Sequence, residues 1–176
     1  MLNIQIFSFN PFLLFSYLVF NENKKGFIID PGNWNKTETE TLQNFIENNG
    51  ISIQNILLTH AHIDHVLGLQ WAFDTYKVPV KMHQEEKEIL NRNPMSARNY
   101  GFDFKPFEGE IEFLKEGDSV FLDEDELKVL FVPGHSPGSI AFYNNAQNFV
   151  ISGDALFQGS IGRTDLFRGN HTQLLE

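Results

Sequence analysis

Apolar and polar residues alternate through LNIQIFSF (2–9), the two-residue period of a strand with one buried face. FLLFSYLVF (12–20) and KKGFIIDPG (24–32) follow at hairpin-like distances and predict two further strands. The period then changes. In TETETLQNFIENNG (37–50), Leu42, Phe45 and Ile46 share one helical face, and Asn49-Gly50 closes the helix. SIQNILLTH (52–60) is a buried strand, and Val66, Leu69, Phe73 and Tyr76 recur at helical spacing after it. VPVKMH (78–83) predicts a strand and QEEKEILNRN (84–93) a short polar helix. PMSARNYGFDFKPFEGE (94–110) has no clear period and is expected to be a long surface loop. DSVFLD, LKVLFVPGH, GSIAFYN and NFVISGD then give a series of strands. No linker-like tract interrupts the chain, so residues 1–176 are expected to form one α/β domain with two sheets and outer helices.

Composition narrows the function classes. A net charge of -10 disfavours a surface that tracks phosphates, so no nucleic-acid partner is expected. The apolar run 12–20 has no preceding Lys or Arg, is followed by no small-residue cleavage site and is too short to span a bilayer. It therefore reads as a strand, in a soluble, cytoplasmic protein with no membrane partner. The chain has no cysteine, so any metal must be held by histidine and oxygen ligands.

Three segments carry candidate chemistry. His60, His62, Asp64 and His65 crowd into THAHIDH, in a chain with six histidines. Neutral imidazoles and carboxylates are the usual ligands of zinc and non-haem iron. VPGHSPGS places His135 between two Pro-Gly turns, and VISGDALF places Asp154 at the end of an apolar strand. Alone, a turn histidine is more often merely solvated, and an aspartate after a strand is commonly a cap. Together, all three have one construction, a buried strand and then a ligand, and ligands gather at the carboxyl ends of strands in α/β sheets. His60, His62 and His135 would supply three nitrogens to one metal, Asp64 and His65 would begin a second site, and Asp154 could bridge both. Two cations roughly 3.5–4 Å apart lower the pKa of a shared water and stabilise an oxyanion.

THAHIDH, PGHSPGS and SGDALF resemble the first three metal-binding motifs of the metallo-β-lactamase superfamily. GSIGRTDLFRGNH (159–171) is similar to the small glyoxalase II-like hydrolases and to the persulfide dioxygenases, and NPFLLFSYLV and IIDPG fit the N-terminal strands of the same group. The resemblance implies an αβ/βα sandwich of two mixed sheets with outer helices and metals at one edge. It implies one or two divalent ions, zinc first, with iron or manganese as alternatives. It also implies that Asp30 supports the site from behind, and that Asp64 acts catalytically as well as binding metal. Arg163 and Asp165 match the family's GRTD stretch, where a structural ion pair or turn is favoured over substrate contact. His83 and His171 match no ligand motif.

The leading function is hydrolysis of a small-molecule thioester of the hydroxyacylglutathione type, by water activated at the metals. An iron-dependent persulfide dioxygenase needs only His60, His135 and Asp154. A non-catalytic protein that binds one metal is the third reading. Lactamases that depend on a cysteine ligand are excluded by composition. In GNHTQLLE (169–176), Asn170 can cap a helix and Gln173 completes a capping-box pattern. The family pattern expects a further strand and a ligand histidine beyond this point. The chain is therefore expected to be a C-terminally shortened form of the fold, prone to homo-oligomerise through Leu174, Leu175 and an uncovered sheet edge.

Overall fold

The computed structural model describes residues 1–176. Strands β1 (Asn3–Phe9), β2 (Leu14–Phe20), β3 (Lys25–Ile29), β4 (Ser52–Leu57), β5 (Val80–His83) and β6 (Ile111–Leu114) form one sheet in that order. The first two pairings are antiparallel and the last three parallel. The parallel connections carry helices: α1 (Lys36–Asn48), then α2 (Ile63–Val66) with α3 (Leu69–Tyr76), then α4 (Lys87–Tyr100). The second sheet holds β7 (Ser119–Leu122), β8 (Asp125–Phe131), β9 (Ile140–Asn144) and β10 (Phe149–Ile151), and a small hairpin of β11 (Leu156–Phe157) and β12 (Ser160–Ile161) follows. A terminal helix, α5 (His171–Leu175), is capped by Asn170, whose side-chain oxygen accepts the Gln173 amide at 3.1 Å.

Two cores account for the layers. One lies beneath the helices, where Leu42, Ile46, Leu69, Ala72, Ile89 and Leu90 meet Phe7, Phe9, Leu18, Ile28 and Ile56 of the large sheet. The other lies between the sheets, where Val19, Phe27, Ile29 and Leu57 meet Leu122, Leu127, Val129 and Phe142. The alternation along each strand sends successive side chains into these two layers. The expected α/β sandwich is formed. Within it, the smaller sheet is wholly antiparallel and not mixed, because turns and loops, not helices, join its strands. Its outer face carries no helical layer in residues 1–176, and Phe121 and Val150 stand exposed there. At the other edge, Ile4, Ile6 and Phe15 of the β1–β2 ribbon are exposed. No helix is long and apolar enough to cross a membrane.

Three local expectations are corrected. The loop expected over 94–110 is helical as far as Tyr100, with Pro94 inside α4. A mid-helix proline costs about 3 kcal/mol, but Ile89, Leu90, Asn93 and Ala97 are buried on one face and hold the helix through it. The helix read through Val66 to Tyr76 is broken, because the Gly68 amide bonds the Pro31 carbonyl at 2.8 Å and not the preceding helical turn. This bond ties the histidine loop to the Asp30-Pro31-Gly32 turn. Strand β6, just after the expected loop, was not among the strands read from the sequence.

Candidate metal centre

The three candidate segments leave the ends of β4 in the large sheet and of β8 and β10 in the small one, and they converge. His60 follows β4, His62 precedes the first turn of α2, Asp64 and His65 lie on α2, His135 follows β8, and Asp154 follows β10. His135 Nε2 lies 3.1 Å from His60 Nε2 and 2.9 Å from His62 Nδ1. His65 Nε2 is 3.3 Å from Asp154 Oδ1 and 3.7 Å from Asp64 Oδ2, while the second oxygen of Asp154 is 3.6 Å from His135 Nε2. Asp154 thus stands between two groups of side chains, one of His60, His62 and His135, the other around His65. All six sequence-derived ligand candidates meet in this one place.

Hydrogen bonding fixes which nitrogens carry protons. Both the amide and the hydroxyl of Thr59 donate to Asp30, at 2.7 and 2.6 Å. The Thr59 hydroxyl has spent its only proton there, so at 3.1 Å it accepts from His60 Nδ1. His135 Nδ1 donates to the Arg163 carbonyl at 2.7 Å, because a carbonyl can only accept. Both Nε2 atoms are therefore bare lone pairs, and they face each other at 3.1 Å in a buried setting. Two lone pairs repel at that distance unless a cation lies between them. Burial, then the neighbouring imidazoles, push His60 well below the ordinary histidine range and His62 down to about 3, and burial also lowers His135. Neutral imidazoles are the form that binds metals.

His65 is the opposite case. Burial opposes its charge, but Asp64, Asp30 and Asp154 outweigh burial and raise its pKa well above the ordinary value. Asp30 Oδ2 is 3.0 Å from His65 Nδ1, yet both ring nitrogens lack an aligned hydrogen-bond partner although buried. Three carboxylates around one imidazole make a strongly negative pocket, and a divalent ion there would displace the His65 Nε2 proton that those carboxylates otherwise favour. Asp64 is itself raised, by burial before anything else, and Asp154 is lowered, because His65 and the other imidazoles overcome its burial. The residues present therefore fit one or two divalent ions.

Asp30, fully buried, holds φ +52°, an unusual conformation that aspartate tolerates better than most residues. Its carbonyl accepts from the Ser16 hydroxyl at 2.5 Å. Arg163 and Asp165 form a two-pronged exposed ion pair with both contacts at 2.7 Å. What Arg163 presents to the centre is its backbone carbonyl, and the preceding residue must be glycine: a Cβ at Gly162 would fall 1.8 Å from the Asp154 carbonyl. His83 stacks on Phe131 away from the centre, and His171 is exposed at the start of α5.

One residue escaped the sequence reading. Glu86, fully buried, accepts from Ser136 Oγ at 2.5 Å and the Gly138 amide at 2.7 Å through Oε1, and from the Ala61 amide at 2.7 Å through Oε2. It joins the His60–His62 segment to the His135 loop. Burial raises its pKa despite those three donors. Asn93 adds a bond to the Ala61 carbonyl at 2.9 Å. Only the apolar neighbours of QEEKEIL hinted at this, because Glu85, Glu86 and Glu88 look alike in sequence.

A cavity of about 350 Å³ opens over the centre, lined by His62, Asp64, His135 and Asp154 on one side and by Phe12, Ile89, Tyr100, Leu166 and Phe167 on others. The description of the metallo-beta-lactamase superfamily fits residues 10–176. Over 149 residues the chain is 39% identical to a probable metallo-hydrolase, YqgX, of Bacillus subtilis, covering 84% of this chain and 69% of that protein. It is 32% identical to the hydroxyacylglutathione hydrolase GloC of Haemophilus influenzae, covering 99% and 81% of the two chains. The crystal structure of TTHA1623 in a di-iron-bound form superposes with a TM-score of 0.87 at 33% identity, covering 97% of this chain and 82% of that one. Fold, sequence and the arrangement of histidines agree: the chain belongs to the metallo-beta-lactamase superfamily.

Proposed function

We propose that this protein is a metal-dependent hydrolase of small thioesters, of the hydroxyacylglutathione type. The observation that carries the reading is the meeting of two bare imidazole nitrogens and His62 with Asp154 at the floor of an open cavity. His60, His62 and His135 would hold one divalent ion, and Asp64 and His65 a second, with Asp154 offering one oxygen to each. A bound divalent cation lowers the pKa of water and polarises an acyl carbonyl. The chain's own residues then orient the reaction. Thr59 and the Arg163 carbonyl keep the His60 and His135 lone pairs turned inward. Asp64 lines the cavity and would accept a proton from the attacking water. The apolar wall receives the non-reacting part of the substrate. The similarity to GloC supports the thioester class. Zinc is the proposed ion; the di-iron form of TTHA1623 keeps iron as the alternative.

The test is thiol release from S-D-lactoylglutathione by zinc- and iron-loaded protein, with oxygen monitored in the same cell. Thiol release without oxygen uptake is expected. A second reading rests on His60, His135 and Asp154, which alone make a two-histidine, one-carboxylate set of the kind used by non-haem iron oxygenases. Oxygen uptake with glutathione persulfide, dependent on iron and without thioester turnover, would put that dioxygenase first.

The Asp30 relay gives a further expectation. Groups that orient metal ligands typically contribute 10–100-fold to metal affinity. Asp30→Asn retains the shape but turns an NH₂ group toward either Thr59 or His65. Zinc affinity, measured by competition with a chromophoric chelator, should fall about tenfold or more. Unchanged affinity in a correctly folded variant would remove Asp30 from the site.

A further inference from the structure

We propose that Arg92 is an anion anchor that selects thioesters carrying a carboxylate, an inference that rests on the hydrolase reading and extends it. Ile89, Arg92, Asn93, Ser96 and Tyr100 recur along one face of α4 and all line the cavity that holds His62, Asp64, His135 and Asp154. Asn93 bonds the Ala61 carbonyl at 2.9 Å, so this face of α4 is fixed relative to the centre. Arg92, the neighbouring residue, is half-buried, and its guanidinium carbon lies 3.9 Å from the centroid of the Phe167 ring.

The charge around Arg92 is unusual for such a position. Arg163, also at the cavity, is committed to Asp165, and nearby Arg168 to Glu85 and Glu88. Arg92 pairs with no carboxylate, in a chain whose net charge is -10. A guanidinium meant to neutralise Asp64 or Asp154 would touch them. Arg92 instead stands over the Phe167 ring, and its guanidinium N–H groups make no hydrogen bond within the chain. The matching ligand is planar and singly charged: a carboxylate meets such a fork through two parallel bonds. A phosphate dianion would bring twice the charge toward Asp64 and Asp154 with one guanidinium to hold it. Ile89, Leu166 and Phe167 supply apolar surface in the same cavity as the anchor and the centre. A cavity of about 350 Å³ takes a compact molecule, with its carboxylate on either the acyl or the thiol side.

The test uses metal-loaded protein and three thioesters: S-acetyl-3-mercaptopropionate with its anion on the thiol side, S-ethyl thiosuccinate with it on the acyl side, and neutral S-ethyl thioacetate. Wild type should prefer at least one anionic substrate over the neutral one by tenfold or more in kcat/KM, and the preferred substrate identifies the side. Arg92→Gln should reduce that preference at least tenfold, mainly through KM, and Arg92→Lys should restore part of it. Binding of the inert thioether 3-(ethylthio)propionate, measured by calorimetry, separates the anchor from the chemistry. Thioether binding that weakens tenfold in Arg92→Gln, with no thioester hydrolysed by wild type, would uphold the anchor and refute the hydrolase. The anchor is refuted by equal thioether affinity in wild type and Arg92→Gln, by no binding to wild type, or by an unchanged anionic preference.

Discussion

Asp154→Ala is expected to empty the centre and abolish turnover. Its two oxygens face His65 and His135 at 3.3 and 3.6 Å, so it is the one carboxylate that reaches both groups of imidazoles. Metal charge stabilisation contributes several kcal/mol to such transition states. At about 1.4 kcal/mol per factor of ten, the loss should be on the order of a thousandfold in kcat/KM. Bound metal should fall below one equivalent. Asp154→Asn separates charge from size: the amide keeps the volume, and should still lose most of the metal. His171→Ala serves as the control, since that histidine is exposed on α5. Wild-type metal content and rate in Asp154→Ala would refute the bridging role.

The second large effect concerns Glu86, and it acts first on stability. Alanine there leaves the buried amides of Ala61 and Gly138 and the Ser136 hydroxyl without their acceptor. A buried donor left unsatisfied costs about 1–3 kcal/mol. Three such losses, partly relieved by entering water, should destabilise the fold by roughly 3 kcal/mol. For a chain of this size each kcal/mol moves Tm by about 2–4 °C, so the melting temperature of metal-free protein should drop by about 6–12 °C. Glu86→Gln should fall between, because its oxygen can keep Ser136 and Gly138 while its NH₂ group opposes the Ala61 amide. Metal affinity should fall in the same order, since the clamp holds two ligand loops in register. A melting temperature within a degree or two of wild type for Glu86→Ala would show that the loops do not depend on it.

The residues that sequence made visible are those whose chemistry is local. His60, His62, Asp64 and His65 lie within six residues of chain, and the strand-then-ligand construction anticipated that His135 and Asp154 would join them. The helix α1 was equally legible, because Leu42 and Ile46 mark its buried face and Asn49 its end, whereas the Asn35 cap is seen only in the structure. What escaped was set by distant contacts. Pro94 reads as a helix stop, yet burial of Asn93 and Ala97 against the body of the protein carries α4 past it. Glu86 looks like any surface glutamate until the Ala61 and Gly138 amides arrive from far along the chain. The tautomers of His60 and His135 likewise depend on Thr59 and the Arg163 carbonyl, and the role of Arg163 at the centre is played by its backbone, which no side-chain motif reveals.

Elemental analysis of protein purified without added metal tests the central claim most directly. Wild type should carry at least one equivalent of a divalent ion, zinc foremost, and His62→Ala and His135→Ala should retain a small fraction of it under the same purification. Wild-type protein that is folded but free of divalent metal, and that takes up none on dialysis against zinc, iron or manganese, would contradict the account.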